Sequence, residues 1–221
     1  MTKRCVLLGA SGLVGRAIAH ALAADPACDE LHLLLRRPVP ALERLPLARA
    51  IAWQGGAFSA LPPVDVALCA LGTTIKAAGS REAFRAVDFH AVLAFAQAAR
   101  RAGAQCFGLV SALGADPKSR VFYNRTKGEI EQAVARLDFP SLVIVRPSLL
   151  LGDRASIGQA SRPGETLAQA LAPLIAWLTP RRLQPLAATT VARGLLAAVN
   201  SGQPGKRIVE SDELQAIGQP T

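Results

Sequence analysis

Tyr123, the only tyrosine in the chain, stands four residues before Lys127. Residues at i and i+4 share a helix face, so an ammonium placed there lies near the phenol and favours its ionised form. A phenol tuned in this way can exchange a proton with a substrate oxygen while hydride moves to or from a nicotinamide. Ser111 adds a second hydroxyl, because it closes the apolar run Phe107-Gly108-Leu109-Val110 just ahead of the stretch that carries the tyrosine. In this reading Ser111 hydrogen-bonds the reacting oxygen, Tyr123 is acid or base, and Lys127 tunes the phenol and binds the nicotinamide ribose. The plainer alternative is a strand-ending serine and an amphipathic helix with a salt-bridging lysine.

The partner for that chemistry is indicated near the amino end. Gly9-Ala10-Ser11-Gly12-Leu13-Val14-Gly15 follows an apolar strand and opens a helix, the context in which a glycine pattern gains meaning. Gly9 permits the tight turn, Gly12 lets the backbone approach a pyrophosphate, and Gly15 lets the helix pack close to the strand. The amides from Ser11 through Val14 then lie at the positive end of the helix dipole, which favours a diphosphate. About 20 residues on, where an acidic residue would hold the ribose hydroxyls of NAD, stand Arg36 and Arg37. Guanidinium groups there deprive the ribose of its acceptor but bind a 2′-phosphate, so the preferred cofactor is NADP(H), with NAD(H) second. Leu71, Gly72 and Thr73 close the fourth strand and are expected to touch the cofactor; a turn with a capping threonine is the alternative.

The elements that must hold these groups alternate. Strand-length apolar runs occur at Arg4–Leu8, Leu31–Leu35, Ala48–Ala52, Val64–Leu71, Cys106–Val110 and Ser141–Val145. Helical, Ala-rich stretches lie between several of them at Leu13–Ala24, Ser80–Ala102 and Tyr123–Leu137, with a last helix near Thr190–Val199. Alternation of this kind predicts an α/β fold, a doubly wound parallel sheet of Rossmann type with helices on both faces. The second crossover shrinks to a loop or one helical turn, since prolines at 38, 40 and 46 interrupt anything longer. Residues 1–221 are expected to form one NAD(P)-binding domain, with 147–189 contributing a small substrate-side region. Within it, Arg162 and Glu165 flank a Pro-Gly pair and are candidate substrate contacts; an ordinary turn is the alternative.

Composition narrows the classes. The formal charge is +9, yet the arginines are scattered among acids with no basic run or aromatic interleaving, which argues against nucleic acid as partner. Cys5, Cys28, Cys69 and Cys106 lie far apart and form no Cys-x-x-Cys or Cys/His cluster, so no metal is expected and the thiols read as reduced packing groups. The run Cys5–Leu8 is too short for a signal-peptide core, and the apolar stretch Leu167–Leu178 falls short of a bilayer span. From these a cytoplasmic protein without a membrane span is expected. Oligomer formation stays open, because the two longest middle helices can pair between subunits.

Beside these readings, the chain resembles the atypical short-chain dehydrogenase/reductase superfamily, whose extended branch holds NAD(P)-dependent epimerases and dehydratases. Cys69-Ala70-Leu71-Gly72-Thr73-Thr74, Ser111 with Gly114-Ala115-Asp116, Tyr123 to Glu129, Arg146-Pro147-Ser148 and Arg162-Pro163-Gly164-Glu165 look like the Tat-interacting-protein-type oxidoreductases. The resemblance implies an NADPH-binding Rossmann fold, a Ser111-Tyr123-Lys127 triad, and Pro147 and Ser148 near the nicotinamide. It also implies an asparagine where this chain has Asp88, which either holds a water or caps internal backbone. The expected function is an oxidoreductase acting on a small carbonyl or alcohol. A non-catalytic, cofactor-sensing regulator with a protein partner is the alternative, and a nucleotide-sugar epimerase or dehydratase is the reading least served by the short region after Arg146.

Overall fold

The computed structural model describes residues 2–55, 58, 60–151 and 180–219. Its first half alternates strand and helix as the periodicity predicts: β1 (Lys3–Leu8), α1 (Leu13–Ala23), β2 (Cys28–Leu35), α2 (Pro40–Glu43), β3 (Ala48–Ala52) and β4 (Val66–Cys69). Helix α2 is a single turn begun by Pro40, so the prolines do shorten this crossover. Then come α3 (Ile75–Ala78), α4 (Arg81–Arg85), α5 (Val92–Arg101), β5 (Cys106–Val110), α6 (Phe122–Ala135), β6 (Ser141–Arg146), β7 (Leu150–Leu151), β8 (Leu186–Ala187), α7 (Ala188–Asn200), β9 (Gly205–Glu210) and α8 (Ser211–Ile217).

Seven of the strands form one parallel sheet in the order β3-β2-β1-β4-β5-β6-β9, while β7 and β8 pair separately. The chain winds outward from β1 to β3, returns to the far side of β1 at β4, and winds outward again. The topological switch therefore lies between β1 and β4, and the carboxyl ends of the strands around it frame a crevice.

Alternate strand residues serve two cores. Leu7, Leu33 and Val145 join Val14, Ile18 and Leu22 of α1 and Val191 and Leu195 of α7 on one face. Val6, Leu8, Phe107 and Ile144 join Val92, Phe95, Ile130 and Val134 on the other. Two-sided burial explains why these strands read as continuous apolar runs.

Two differences from expectation bear on the site. The stretch Ser80–Ala102 is not one helix, because a π-helical turn, Ala86–Ala91, separates α4 from α5. The seventh strand, β9, was not foreseen, since at an edge only Val209 among its residues is buried and Lys206 and Arg207 disguise the pattern.

Candidate functional site

The tight turn after β1 is built on close backbone contact. Gly9 has φ +89°, and a Cβ on it would lie 2.5 Å from the Leu71 nitrogen; one on Gly15 would lie 2.0 Å from the Gly9 carbonyl oxygen. Only glycine fits either place. Gly12 then caps α1 without a side chain to offer, and no acid stands in the first turn, so the leading amides have neither a side-chain partner nor a neutralising charge. Ser11 is exposed at the turn, and Arg36 and Arg37 follow β2 as exposed residues.

A cleft of about 390 Å³ opens at this end of the sheet. Gly12, Leu13 and Val14 form one wall, and Leu71, Gly72 and Thr73 after β4 form the floor. Ser111 at the end of β5, Tyr123 and Lys127 on α6, and Pro147 and Ser148 after β6 complete it. Most of the expected site residues thus meet in one space. Gly9, Ser11, Gly15, Arg36 and Arg37 are not among the residues lining it, and Arg162 and Glu165 lie outside the described residues.

On α6 the Tyr123 ring packs against Phe84 of α4, centroid to centroid at 5.5 Å. Lys127 is buried, and its Nζ lies 2.7 Å from Oδ1 of the wholly buried Asp88 and 6.0 Å from the centre of the Tyr123 ring. Burial is the strongest single influence on this ammonium and acts to lower its pKa. The Asp88 carboxylate, helped by Tyr123, outweighs it and holds the group above its usual value. Asp88 Oδ2 in turn accepts the Thr73 N–H at 2.9 Å, so the carboxylate ties the floor of the cleft to the lysine. Neighbouring Cys69 is a neutral thiol, pushed up to about 12 by burial.

Sequence reasoning missed the group behind Ser111. Its hydroxyl donates to Glu131, a buried carboxylate that Arg146 grips with Nε at 3.1 Å and Nη2 at 2.6 Å. The third arm of Arg146 reaches Glu210 of β9 at 2.9 Å. The hydrogen bond to Glu131, with that to Glu210, raises the guanidinium still further above its usual value. The signal was present, because Tyr123, Lys127 and Glu131 repeat at helical spacing on one face. Ser148 turns its hydroxyl away to the Gln184 carbonyl and receives no role from that contact beyond shaping the wall.

No family model matches the chain. Over 171 residues it is 38% identical to a protein of Emericella nidulans named protein fmp52, mitochondrial, covering 74% of this chain and 72% of that one. Over 210 residues it is 32% identical to protein FMP52, mitochondrial, of Candida albicans, covering 92% and 85%. The expectation of a cytoplasmic protein is corrected by these names. It rested on the lack of a secretory core and of a bilayer span, and neither property distinguishes compartments within a cell. Among the described residues, no helix is long and apolar enough to cross a membrane.

Among solved structures, a UDP-N-acetylglucosamine 4-epimerase from Methanobrevibacter ruminantium matches with a TM-score of 0.70 at 14% identity, over 95% of this chain and 76% of that one. A short-chain type dehydrogenase/reductase from Mycobacterium ulcerans matches with a TM-score of 0.66 at 16% identity, over 98% and 91%. MoeE5, solved with UDP-glucose and NAD, matches with a TM-score of 0.69 at 14% identity, over 93% and 75%. The fold is therefore that of the Rossmann dehydrogenases and epimerases.

Proposed function

The chain belongs to the FMP52 family, and from that membership and the geometry of its cleft we propose an NADP(H)-dependent oxidoreductase of the short-chain dehydrogenase/reductase type, acting on a small carbonyl or alcohol. One observation carries the proposal: the uncapped start of α1 and the Ser111, Tyr123 and Lys127 side chains open onto one cleft. The likeness to Tat-interacting-protein-type oxidoreductases is part of the same reading.

The residues present fit a dinucleotide. Gly12 lines the cleft beside Leu13 and Val14, whose amides have no capping side chain and suit a diphosphate. Arg36 and Arg37, at the end of β2, would take the 2′-phosphate, while Lys127 and the Leu71–Thr73 floor would take the nicotinamide ribose. A bound nicotinamide supplies or accepts the hydride. Tyr123 passes a proton to the substrate oxygen or takes one from it, and Ser111 orients that oxygen.

A specific observation favours a second reading, a cofactor-sensing regulator without turnover: the Ser111 hydroxyl already donates its hydrogen bond to Glu131, and Lys127 is already paired with Asp88. A carbonyl panel with NADPH separates the two. Turnover by the wild type that falls about a hundredfold or more in Tyr123→Phe supports chemistry. Tight NADPH binding with no turnover in either protein supports regulation. The cofactor assignment has its own test in Arg36→Glu, which should weaken NADPH by about tenfold or more and leave NADH little changed. Equal loss for both would remove the 2′-phosphate role.

A further inference from the structure

We infer that Asp88 is a positioning residue, a built-in counter-charge to Lys127 that offsets the pull of the ammonium on the Tyr123 phenol. The assignment of Tyr123 as acid or base rests on the function proposed above. The charge relation itself does not.

The geometry is one-sided. The ammonium sits 2.7 Å from a carboxylate oxygen and 6.0 Å from the centre of the phenol ring. Both members of the pair are buried, so water does little to screen them from each other. The carboxylate cannot swing away, because its second oxygen is held by the Thr73 amide at 2.9 Å. Its backbone is also unusual: Asp88 lies within the π-helical turn Ala86–Ala91, a rare local winding that recurs at functional positions. A phenol beside a lone ammonium would meet a full positive charge. Tyr123 meets an ion pair instead, whose field is that of a dipole and falls away faster.

The remaining charged and titratable groups around the pair are neutral, ion-paired, hydrogen-bonded or packed against a ring. Cys69 on β4 is a neutral thiol. Glu129 on the outer side of α6 is paired with Arg85 of α4 and Arg125, and Arg81 lies over Phe122. Glu131 is gripped by Arg146, the Asp116 carboxylate accepts the Lys118 amide, and the His90 ring packs edge-on against Phe89. Asp88 and Lys127 therefore set the balance of charge that Tyr123 meets.

Because Tyr123 is the only tyrosine, the tyrosinate absorbance of the whole, cofactor-free protein reads its ionisation directly, with no substrate needed. Asp88→Asn keeps an acceptor for the Thr73 amide and removes the charge; it should lower the titration midpoint by about one pH unit. An unchanged or raised midpoint overturns the inference. The double variant Asp88→Asn with Lys127→Gln carries neither charge and tests the same point should the single variant not fold. Its midpoint should stay within a few tenths of the wild type, and a clear rise would mean that Lys127 acts on the phenol uncompensated. A lowered midpoint in Asp88→Asn together with no turnover on any carbonyl would uphold the charge relation while removing the oxidoreductase.

Discussion

At the scale of single residues, the candidate site has two buried carboxylates, each tied to one side chain that lines the cleft. Asp88 holds Lys127, and Glu131 holds Ser111 while itself gripped by Arg146. Removing one partner of such a buried pair leaves the other charge uncompensated. Glu131→Gln should therefore cost about 3 kcal/mol, toward the low end of such losses because Arg146 keeps Glu210. Denaturant unfolding measures it, and a loss below about 0.5 kcal/mol, the range of ordinary surface changes, would show that the pair contributes little. The spacing of Tyr123 and Lys127 and the place of Ser111 were legible in the sequence, because helix and strand periods fix them locally. Glu131 was not singled out, since an acid on an amphipathic helix reads as solvent-facing until β6 is known to bring an arginine beneath it. Asp88 drew notice from the sequence, but its partner is set by tertiary packing and no local pattern discloses it.

At the scale of elements, the turn between β1 and α1 is the least tolerant joint. Gly15→Ala would drive a methyl into the Gly9 carbonyl, a backbone atom that cannot rotate aside. The expected result is a loss of about 1–3 kcal/mol in denaturant unfolding together with weakened NADPH binding; unchanged values in both would mean that the turn can open without cost. A second joint ties β1 to the start of β4. Arg4 donates from its main chain and its guanidinium to Asp65, and these hydrogen bonds, side chain first, hold that carboxyl at about 2. A carboxylate depressed in the folded state adds stability above its ordinary pKa and loses it as pH falls toward the folded value. Thermal unfolding of the wild type should thus drop between pH 4 and pH 2 by more than that of Asp65→Asn, modestly so because the pair is partly exposed. The order of strands and helices through β6 was legible from hydropathy. The π-helical turn was not, for one extra residue in a winding leaves no mark on an Ala-rich stretch, and neither was β9, whose burial at a sheet edge is too slight to pattern it.

At the scale of the molecule, a ligand that binds only the folded chain stabilises it by mass action. NADPH at a hundred times its dissociation constant should add about 2.7 kcal/mol, seen as a rise in the thermal midpoint. NADH at the same concentration should add less, and Arg36→Glu should narrow the gap between them. No shift with either cofactor would oppose the dinucleotide reading as a whole. Compartment was the one property misread, because composition and the lack of a bilayer span carry no address.

The network behind Ser111 also has a history in time. Its outermost member, Glu210, is contributed by β9, which pairs with β6 along its whole length, and Ser211 just beyond it receives the Ser148 amide at 3.3 Å. During synthesis the glycine turn and its helix emerge before α7 and the strand bearing Glu210. Both sides of the cleft thus wait on late segments, the glycine turn for α7 to pack against α1 and the serine side for β9 to dock.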